Sequence, residues 1–389
     1  MSENDKITLA SALDCTGCFA CEGVCPKHAI THRADAEGFN HPVINPDLCV
    51  HCHACEKVCP VLSPLDKKDN RAVYAGWTQS ENIRKGSSSG GIFSELAKAI
   101  IADGGVVVGA EMDSEGMVSH TIVSDEKELY RHRGSKYVQS NIRRELYEEI
   151  KQILKQNRKV LFTGTPCQVA GMKKFFKDSP LLYTVDIICH GVPSPLLFKD
   201  VYDYVKSKYG EFETFNFRFL DKWGEGLNVS LFENGGWVCK PLSAYDSYYL
   251  NAFNNDLLNR ECCYQCSYAT NKRVGDITIG DFWGIGTNEP FKEDTKKGCS
   301  IIIVNTERGE KLIEEIKTNL FLEKRAIDEA ILGGNENLKH PTRRPKGRDD
   351  IYKDFENNTL DKVIKKYHLV PKKKNIIQRA LNRIKRIFR

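Results

Sequence analysis

The chain has 389 residues, 41% hydrophobic and 28% charged, with a formal net charge of +5. These values describe an ordinary soluble globular protein with room for two or three domains, each with its own core. The positive charge sits at one end: Pro371 to Arg389 carries eight basic residues and no acid, so the body is mildly acidic and lacks a nucleic-acid-binding composition. The N-terminus is polar and acidic, and no apolar run approaches the roughly 18 residues of a membrane span. The natural compartment is the cytoplasm, where disulfides are unexpected despite fifteen cysteines.

Eight of those cysteines form two runs near the start, Cys15–Pro26 and Cys49–Pro60, each with the spacing C-x2-C-x2-C-x3-C-P. Three closely spaced thiolates wrap one face of a cubane, and in this pattern the fourth cysteine serves the other cluster. The spacing therefore assigns Cys15, Cys18, Cys21 and Cys59 to one [4Fe–4S] cluster, and Cys49, Cys52, Cys55 and Cys25 to a second. Zinc sites present paired C-x2-C halves instead, which disfavours zinc knuckles. Residues 1–64 are expected to form this ferredoxin-like module, with a hairpin from Ile30 to Val43 linking the runs.

The polar, proline-bearing segment Ser63 to Arg71 reads as a linker. Beyond it, Ala72–Trp77 reads as a strand, Lys85-Gly-Ser-Ser-Ser-Gly-Gly91 as a loop, Ile92–Ile101 as a helix and Gly104–Ala110 as an apolar strand. That succession predicts an α/β layer. A hydroxyl-rich loop at a helix N-terminus offers N–H groups to an anion such as phosphate, although it also serves simply as a cap. Arg131-His-Arg-Gly-Ser-Lys-Tyr137 supplies cations for the same anion or forms a solvated loop.

A charged helix, Ile142 to Gln156, precedes a strand at Lys159–Thr163 and a helix whose first turn carries Cys167. A thiol at that position is expected to have a lowered pKa, which suits a reactive thiolate or a metal ligand. The strand Leu181–Ile188 delivers Cys189 to a second strand end, where ligands collect in open parallel sheets. Period-two alternation over 212–240 predicts an appended antiparallel hairpin, with turns at Trp223–Gly226 and Asn234–Gly236. Cys263 and Cys266 then form a C-x2-C pair. With Cys167 and Cys189 they make four thiols, the number for a third cubane; structural cysteines plus one redox pair is the alternative. Asp276 and Asp281 bracket a strand, as ribose or catalytic carboxylates or as turn formers. Residues Ile376 to Phe388 have the pattern of a basic amphipathic helix for a membrane surface, a partner or the protein's own body.

Five stretches occur in a distinctive order: Ser87–Gly91, Arg133–Ser140, Gly164–Gln168, Asp186–Ser194 and Gly275–Gly284. Together they resemble the coenzyme F420 hydrogenase/dehydrogenase beta-subunit family in its form with an N-terminal ferredoxin domain. The likeness spans roughly residues 10 to 345. It implies a multidomain α+β and α/β protein: a bacterial-type ferredoxin module, then an α/β flavoprotein domain with the appended antiparallel hairpin and a C-terminal basic amphipathic helix. The implied divisions are 1–64, 72–156 (the beta-subunit N-terminal region), 157–335 (the C-terminal α/β domain) and a basic tail at 336–389. The resemblance implies FAD held by Ser87, Ser88, Ser89, Gly90, Gly91, Arg133, Ser135, Lys136 and Asp281; His190, next to the cluster cysteine Cys189, is a candidate proton donor or a plain structural histidine. It further implies a third [4Fe–4S] cluster on Cys167, Cys189, Cys263 and Cys266, although Cys262 leaves one ligand open between neighbours.

A flavin converts between single electrons and pairs, so the implied activity is an iron–sulfur flavoprotein oxidoreductase. Electrons are expected to pass between a ferredoxin-type or F420-type donor, the clusters, FAD and a small organic acceptor, among them a precursor in cell-surface polysaccharide biosynthesis. The alternative is a subunit that relays electrons to a separate catalytic partner. Residues 371–389 are the expected point of any peripheral contact with the inner face of the membrane.

Overall fold

The computed structural model describes residues 7–177, 179–219, 222–233 and 236–370. The expected C-terminal amphipathic helix and part of the turn at 234–236 lie outside the described residues.

The two cysteine runs fold alike. Each contains a one-turn helix, Ala20–Val24 or Ala54–Val58, entered through a left-handed residue, Phe19 at φ 55° or His53 at φ 54°. Two residues earlier, Gly17 (φ 67°) and His51 (φ 52°) repeat the same conformation. Left-handed backbone at a non-glycine residue is uncommon, so its recurrence at matched positions points to a shared functional constraint. Strands β1 (Ile30–Ala34) and β2 (Asn40–Ile44) pair antiparallel between the runs as the linking hairpin.

After a short connection the chain enters β3 (Ala72–Thr78) and the helix Ile92–Ala102, followed by β4 (Val106–Met112) and β5 (Val118–Val123). The helix Arg144–Lys155 leads to β6 (Val160–Gly164), and the helix Pro166–Phe176 leads to β7 (Leu182–Ile187). The helix Pro195–Tyr209 precedes an antiparallel meander of β8 (Phe215–Arg218), β9 (Glu225–Glu233) and β10 (Gly236–Pro241). The expected hairpin thus has a third strand. β11 (Ile277–Asp281), β12 (Ser300–Val304) and β13 (Leu320–Lys324) return to the main sheet.

That sheet has eight strands in the order β13-β3-β12-β11-β7-β6-β4-β5. Its centre, β11-β7-β6-β4, is parallel, and the flanking pairs are antiparallel. The central strands are buried on both faces, hence near-continuous apolar runs such as Val106-Val-Val108 and Val160-Leu-Phe162. The carboxyl ends of the parallel strands all open on one edge, the position where such sheets collect ligands.

Two expected loose regions are packed. The segment read as a linker pairs with the body, Lys68 exchanging backbone hydrogen bonds with Arg273 at 2.7 and 2.9 Å. Within the stretch read as a basic tail, the helices Arg348–Asn357 and Leu360–Lys366 bury Ile351, Tyr352, Val363 and Ile364 beside Phe198 and Tyr249. Apolar residues at helical spacing outweigh the basic composition there. No helix among the described residues is long and apolar enough to cross a membrane.

Candidate redox and cofactor site

Two small cavities in the ferredoxin region have telling walls. Cys15, Cys18, Cys21 and Cys59 line one, and Cys25, Cys49, Cys52 and Cys55 line the other. Each wall joins three cysteines of one run to the fourth of the other, as the spacing requires. Burial and neighbouring thiolates push Cys18 up to about 12 and Cys21 well above its ordinary range. Thiols so desolvated and mutually repelled suit a cationic iron centre, which deprotonates its ligands. The Ala29 amide donates to Cys25 Sγ at 3.3 Å. Of the eight, Cys52 alone is exposed.

A third group of thiols interacts around Cys167. Cys167 lies near the charges of Cys266, Cys262 and Cys18, while Cys189 lies near those of Cys167 and Cys266. Cys266 in turn interacts with Cys262. The short 3₁₀ turn Glu261–Gln265 carries both Cys262 and Cys263, which interact with each other, and Cys262 also interacts with Cys167 and Cys266. The expectation of a lowered Cys167 pKa is overturned. Desolvation by burial and the Cys266 thiol raise it, outweighing the helix N-terminus at Pro166–Phe176.

This group adjoins the first ferredoxin group. A Cβ on Gly171 would stand 2.9 Å from Cys18 Sγ, so the helix that starts beside Cys167 touches the ferredoxin region only because this residue has no side chain. Tyr268 packs in the same buried cluster as Cys18, with Cys167 and Cys266 packed against it. The Tyr147 hydroxyl donates to the Cys18 carbonyl at 2.7 Å.

On the other side of Cys189 opens a cavity of about 730 Å³ at the carboxyl ends of the parallel strands. Its wall includes Ser87, Ser88, Ser89, Gly91, Arg133, Ser135, Lys136, Cys189, His190 and Asp281. Among the residues expected to hold a cofactor, Gly90 is absent from that wall. Its amide donates to Ser300 Oγ at 2.9 Å, and a Cβ there would meet the Gly76 carbonyl at 2.4 Å. The neighbouring serines form the hydroxyl-rich turn at the start of the helix Ile92–Ala102, where Ser135 N–H donates to Ser88 Oγ at 2.8 Å. Arg133 is steadied by Nε donation to Ser94 Oγ at 3.0 Å. The Ile92, Phe93, Ile188 and Phe253 side chains give the wall an apolar portion.

Three other expected residues carry commitments of their own. Lys136 Nζ donates to the Arg131 and Arg133 carbonyls at 3.0 and 2.8 Å, and burial lowers its pKa to about 7. Asp281 accepts two hydrogen bonds from Arg218, at 2.7 and 3.0 Å, and one from Trp223 at 2.5 Å, so it braces the wall. His190 Nε2 lies 2.7 Å from Asp256 Oδ1. Asp276 is fully engaged by Thr184, Thr306 and Arg308 and stands away from the cavity.

Sequence reasoning missed two histidines in the wall. His120 bonds Ser140 Oγ and the Thr163 carbonyl, and burial lowers its pKa to about 4. His132 bonds Thr121 Oγ1, and burial, reinforced by the Lys136 charge, lowers its pKa to about 3. Both are neutral at pH 7. The only sequence signal was the alternation of Val118-Ser-His-Thr-Ile-Val123, which turns His120 inward.

Family models match three successive stretches of the chain. A model described as the 4Fe-4S dicluster domain matches residues 14–62. The models for the N-terminal and C-terminal parts of the coenzyme F420 hydrogenase/dehydrogenase beta subunit match residues 73–146 and 157–330. No curated protein matches. Among solved structures, a chain of the F420-reducing [NiFe] hydrogenase complex from Methanosarcina barkeri is 16% identical, with 74% of this chain and 93% of that one covered and a TM-score of 0.46. The two beta-subunit models together take in most of the residues beyond the dicluster region, including Cys167, Cys189, Cys262 and Cys266. The chain is an iron–sulfur electron-transfer protein that belongs to the coenzyme F420 hydrogenase/dehydrogenase beta-subunit family, with an N-terminal 4Fe-4S dicluster region.

Proposed function

We propose that the chain is an FAD-dependent oxidoreductase whose large cavity holds the flavin and whose third thiol group holds a further [4Fe–4S] cluster. One observation carries the reading: Cys189 belongs to the third thiol group and to the wall of the 730 Å³ cavity at once. A cofactor in that cavity would touch the cluster's own ligand.

Cys167, Cys189, Cys262 and Cys266 would supply the thiolates of the third centre. Their burial and mutual repulsion disfavour four bare thiolates, and iron removes that penalty. The serine turn at Ser87–Ser89, the N–H groups of the helix behind it and Arg133 would receive the dinucleotide phosphates. When bound, the flavin supplies the conversion between single electrons and hydride. The neutral imidazoles of His120 and His132 and the shielded Lys136 line the cavity wall without adding carboxylate charge. His190, beside Asp256 and on the wall next to Cys189, is the best-placed imidazole for moving a proton at an acceptor. The exposed Cys52 marks the side from which a redox partner protein approaches.

Anaerobic reconstitution followed by iron, sulfide and flavin assays tests this reading. About twelve irons and one FAD per chain are expected, four per cubane. About eight irons without flavin would leave only the ferredoxin region and overturn the proposal.

A further inference from the structure

One buried cation touches both the ferredoxin region and the third thiol group. Arg260 is 1% exposed. Its Nε donates to the Cys15 carbonyl at 2.7 Å, its Nη2 to the Asn40 carbonyl at 3.0 Å, and its Nη1 to Gln139 Oε1 at 2.9 Å. No carboxylate is among these partners. The guanidinium also lies against the thiol of Cys262, two residues along the chain. Beside the second ferredoxin group the buried guanidinium is Arg144, which donates to the Ile30 carbonyl and not to a cysteine, and Lys27 on that cavity wall is exposed.

We infer that Arg260 is a positioning residue for electron transfer: its fixed charge raises the reduction potential of the first ferredoxin cluster relative to the second, so that electrons arriving at the exposed side are drawn inward. The physical basis is direct. Reduction adds one electron, supplied by the partner protein, and no proton, so the ligated centre becomes more negative by one unit. A cation held at hydrogen-bond distance from the ligand loop favours that form, and net charge, hydrogen bonding and solvent exposure are the variables that set such potentials. Arginine holds its proton throughout. The hydrogen bonds of Arg260 to Cys15, Asn40 and Gln139, with His41 Nδ1 3.0 Å from its Nη2, keep its charge from swinging away, so the bias is built into the folded chain. The inference rests on the dicluster region for its first arm and on the proposed third cluster only for Cys262.

The test is an anaerobic redox titration of the reconstituted full chain, with the reduced clusters followed by electron paramagnetic resonance. In Arg260→Gln the first ferredoxin cluster should become harder to reduce, its reduced-to-oxidised ratio at fixed potential falling about tenfold, or about 59 mV for one electron. The second cluster should be unmoved, and Arg260→Lys should keep most of the wild-type ratio. Gln139→Glu sets a carboxylate against the intact guanidinium and should produce the same downward shift if Arg260→Gln does not retain its iron. An unchanged ratio in whichever of these charge-cancelling variants keeps its iron, or an equal shift in Arg260→Lys, would overturn the inference. A chain that titrates as expected with eight irons and no flavin keeps this inference while sinking the proposed flavin and third cluster.

Discussion

The loop that carries Cys266 and Tyr268 is anchored by one buried ion pair, and breaking that pair should cost both stability and iron. Asp186 at the end of β7 is fully buried, and Arg273 is 2% exposed. The carboxylate accepts from Arg273 Nη2 at 2.9 Å, from Thr278 Oγ1 at 2.6 Å and from the Gly275 amide at 2.8 Å. Arg273 in turn donates to the Tyr268, Thr270 and Ile187 carbonyls at 2.9, 3.1 and 2.9 Å. Asp186→Ala would leave a guanidinium buried without a counter-charge, which costs about 3–5 kcal/mol. At roughly 2–4 °C per kcal/mol for a domain of this class, the melting temperature should fall by about 6–20 °C. Circular dichroism melts under anaerobic conditions measure the shift, and iron assays should show preferential loss from the third group because its loop is released. The double variant Asp186→Leu/Arg273→Met should melt above Asp186→Ala, since it removes the orphaned charge. A single variant that melts within about 2 °C of wild type with its iron intact would refute the argument that this pair fixes the loop.

Three further outcomes follow from the site. Cys262→Ser should remove about four irons from the reconstituted chain whereas Cys263→Ser retains them, and the reverse result would restore the ligand expected from C-x2-C spacing. Arg133→Ala should weaken FAD binding by about ten- to 150-fold, the worth of one charge-assisted hydrogen bond of about 1.5–3 kcal/mol, as read by flavin fluorescence titration. The lowered pKa values of His120 and His132 have a defined sign: the unfolded chain takes up protons near pH 6.5 and the folded chain only near pH 4 and 3. Their contribution is therefore complete above pH 6.5 and is lost as the pH falls toward 4. Each pKa unit corresponds to about 1.4 kcal/mol, giving roughly 3 kcal/mol for His120 alone. Denaturant melts of wild type and His120→Gln between pH 7 and 4.5 should converge as the pH drops, and parallel curves would contradict this.

How far the sequence carried depended on the range of the physics involved. The cysteine runs were legible because cluster ligation is imposed locally, by spacing and by the turns at Gly17, Phe19, His51 and His53. The alternation of strand and helix was likewise legible from periodicity, with boundaries displaced by a residue or two, as at Val160–Gly164. The side-chain commitments were not. Whether Lys136 reaches a ligand or its own backbone depends on the carbonyls of Arg131 and Arg133 in the folded turn. Asp281 looked available because its partner, Arg218, lies 63 residues away. Cys262 and Cys263 share a single 3₁₀ turn, and the rotation of such a turn is not encoded in spacing. For Cys167, the helix-terminus argument was sound in kind, but desolvation is the larger effect once the thiol is buried.

The ferredoxin region does not meet the rest of the chain as an exchangeable domain. Three arginines of the body fix it: Arg144 donates to the Ile30 carbonyl at 2.6 Å, Arg260 reaches Cys15 and Asn40, and Arg348 grips Glu37 through two hydrogen bonds of 2.7 and 2.5 Å. All three guanidinium groups are largely buried. Removing their partners would strand them in a low-dielectric interior, so separation of the two regions is far costlier than parting a surface salt bridge. The planar fork of arginine also sets orientation as well as distance, which lysine would not. Electron transfer between buried centres needs a fixed short separation rather than a large contact area. The close approach here is made where Gly171 lets a helix backbone reach Cys18 and where Tyr268 packs into the same cluster. The arginines outside and the glycine inside together hold the first ferredoxin thiols against the body of the chain, while Cys52 stays at the surface.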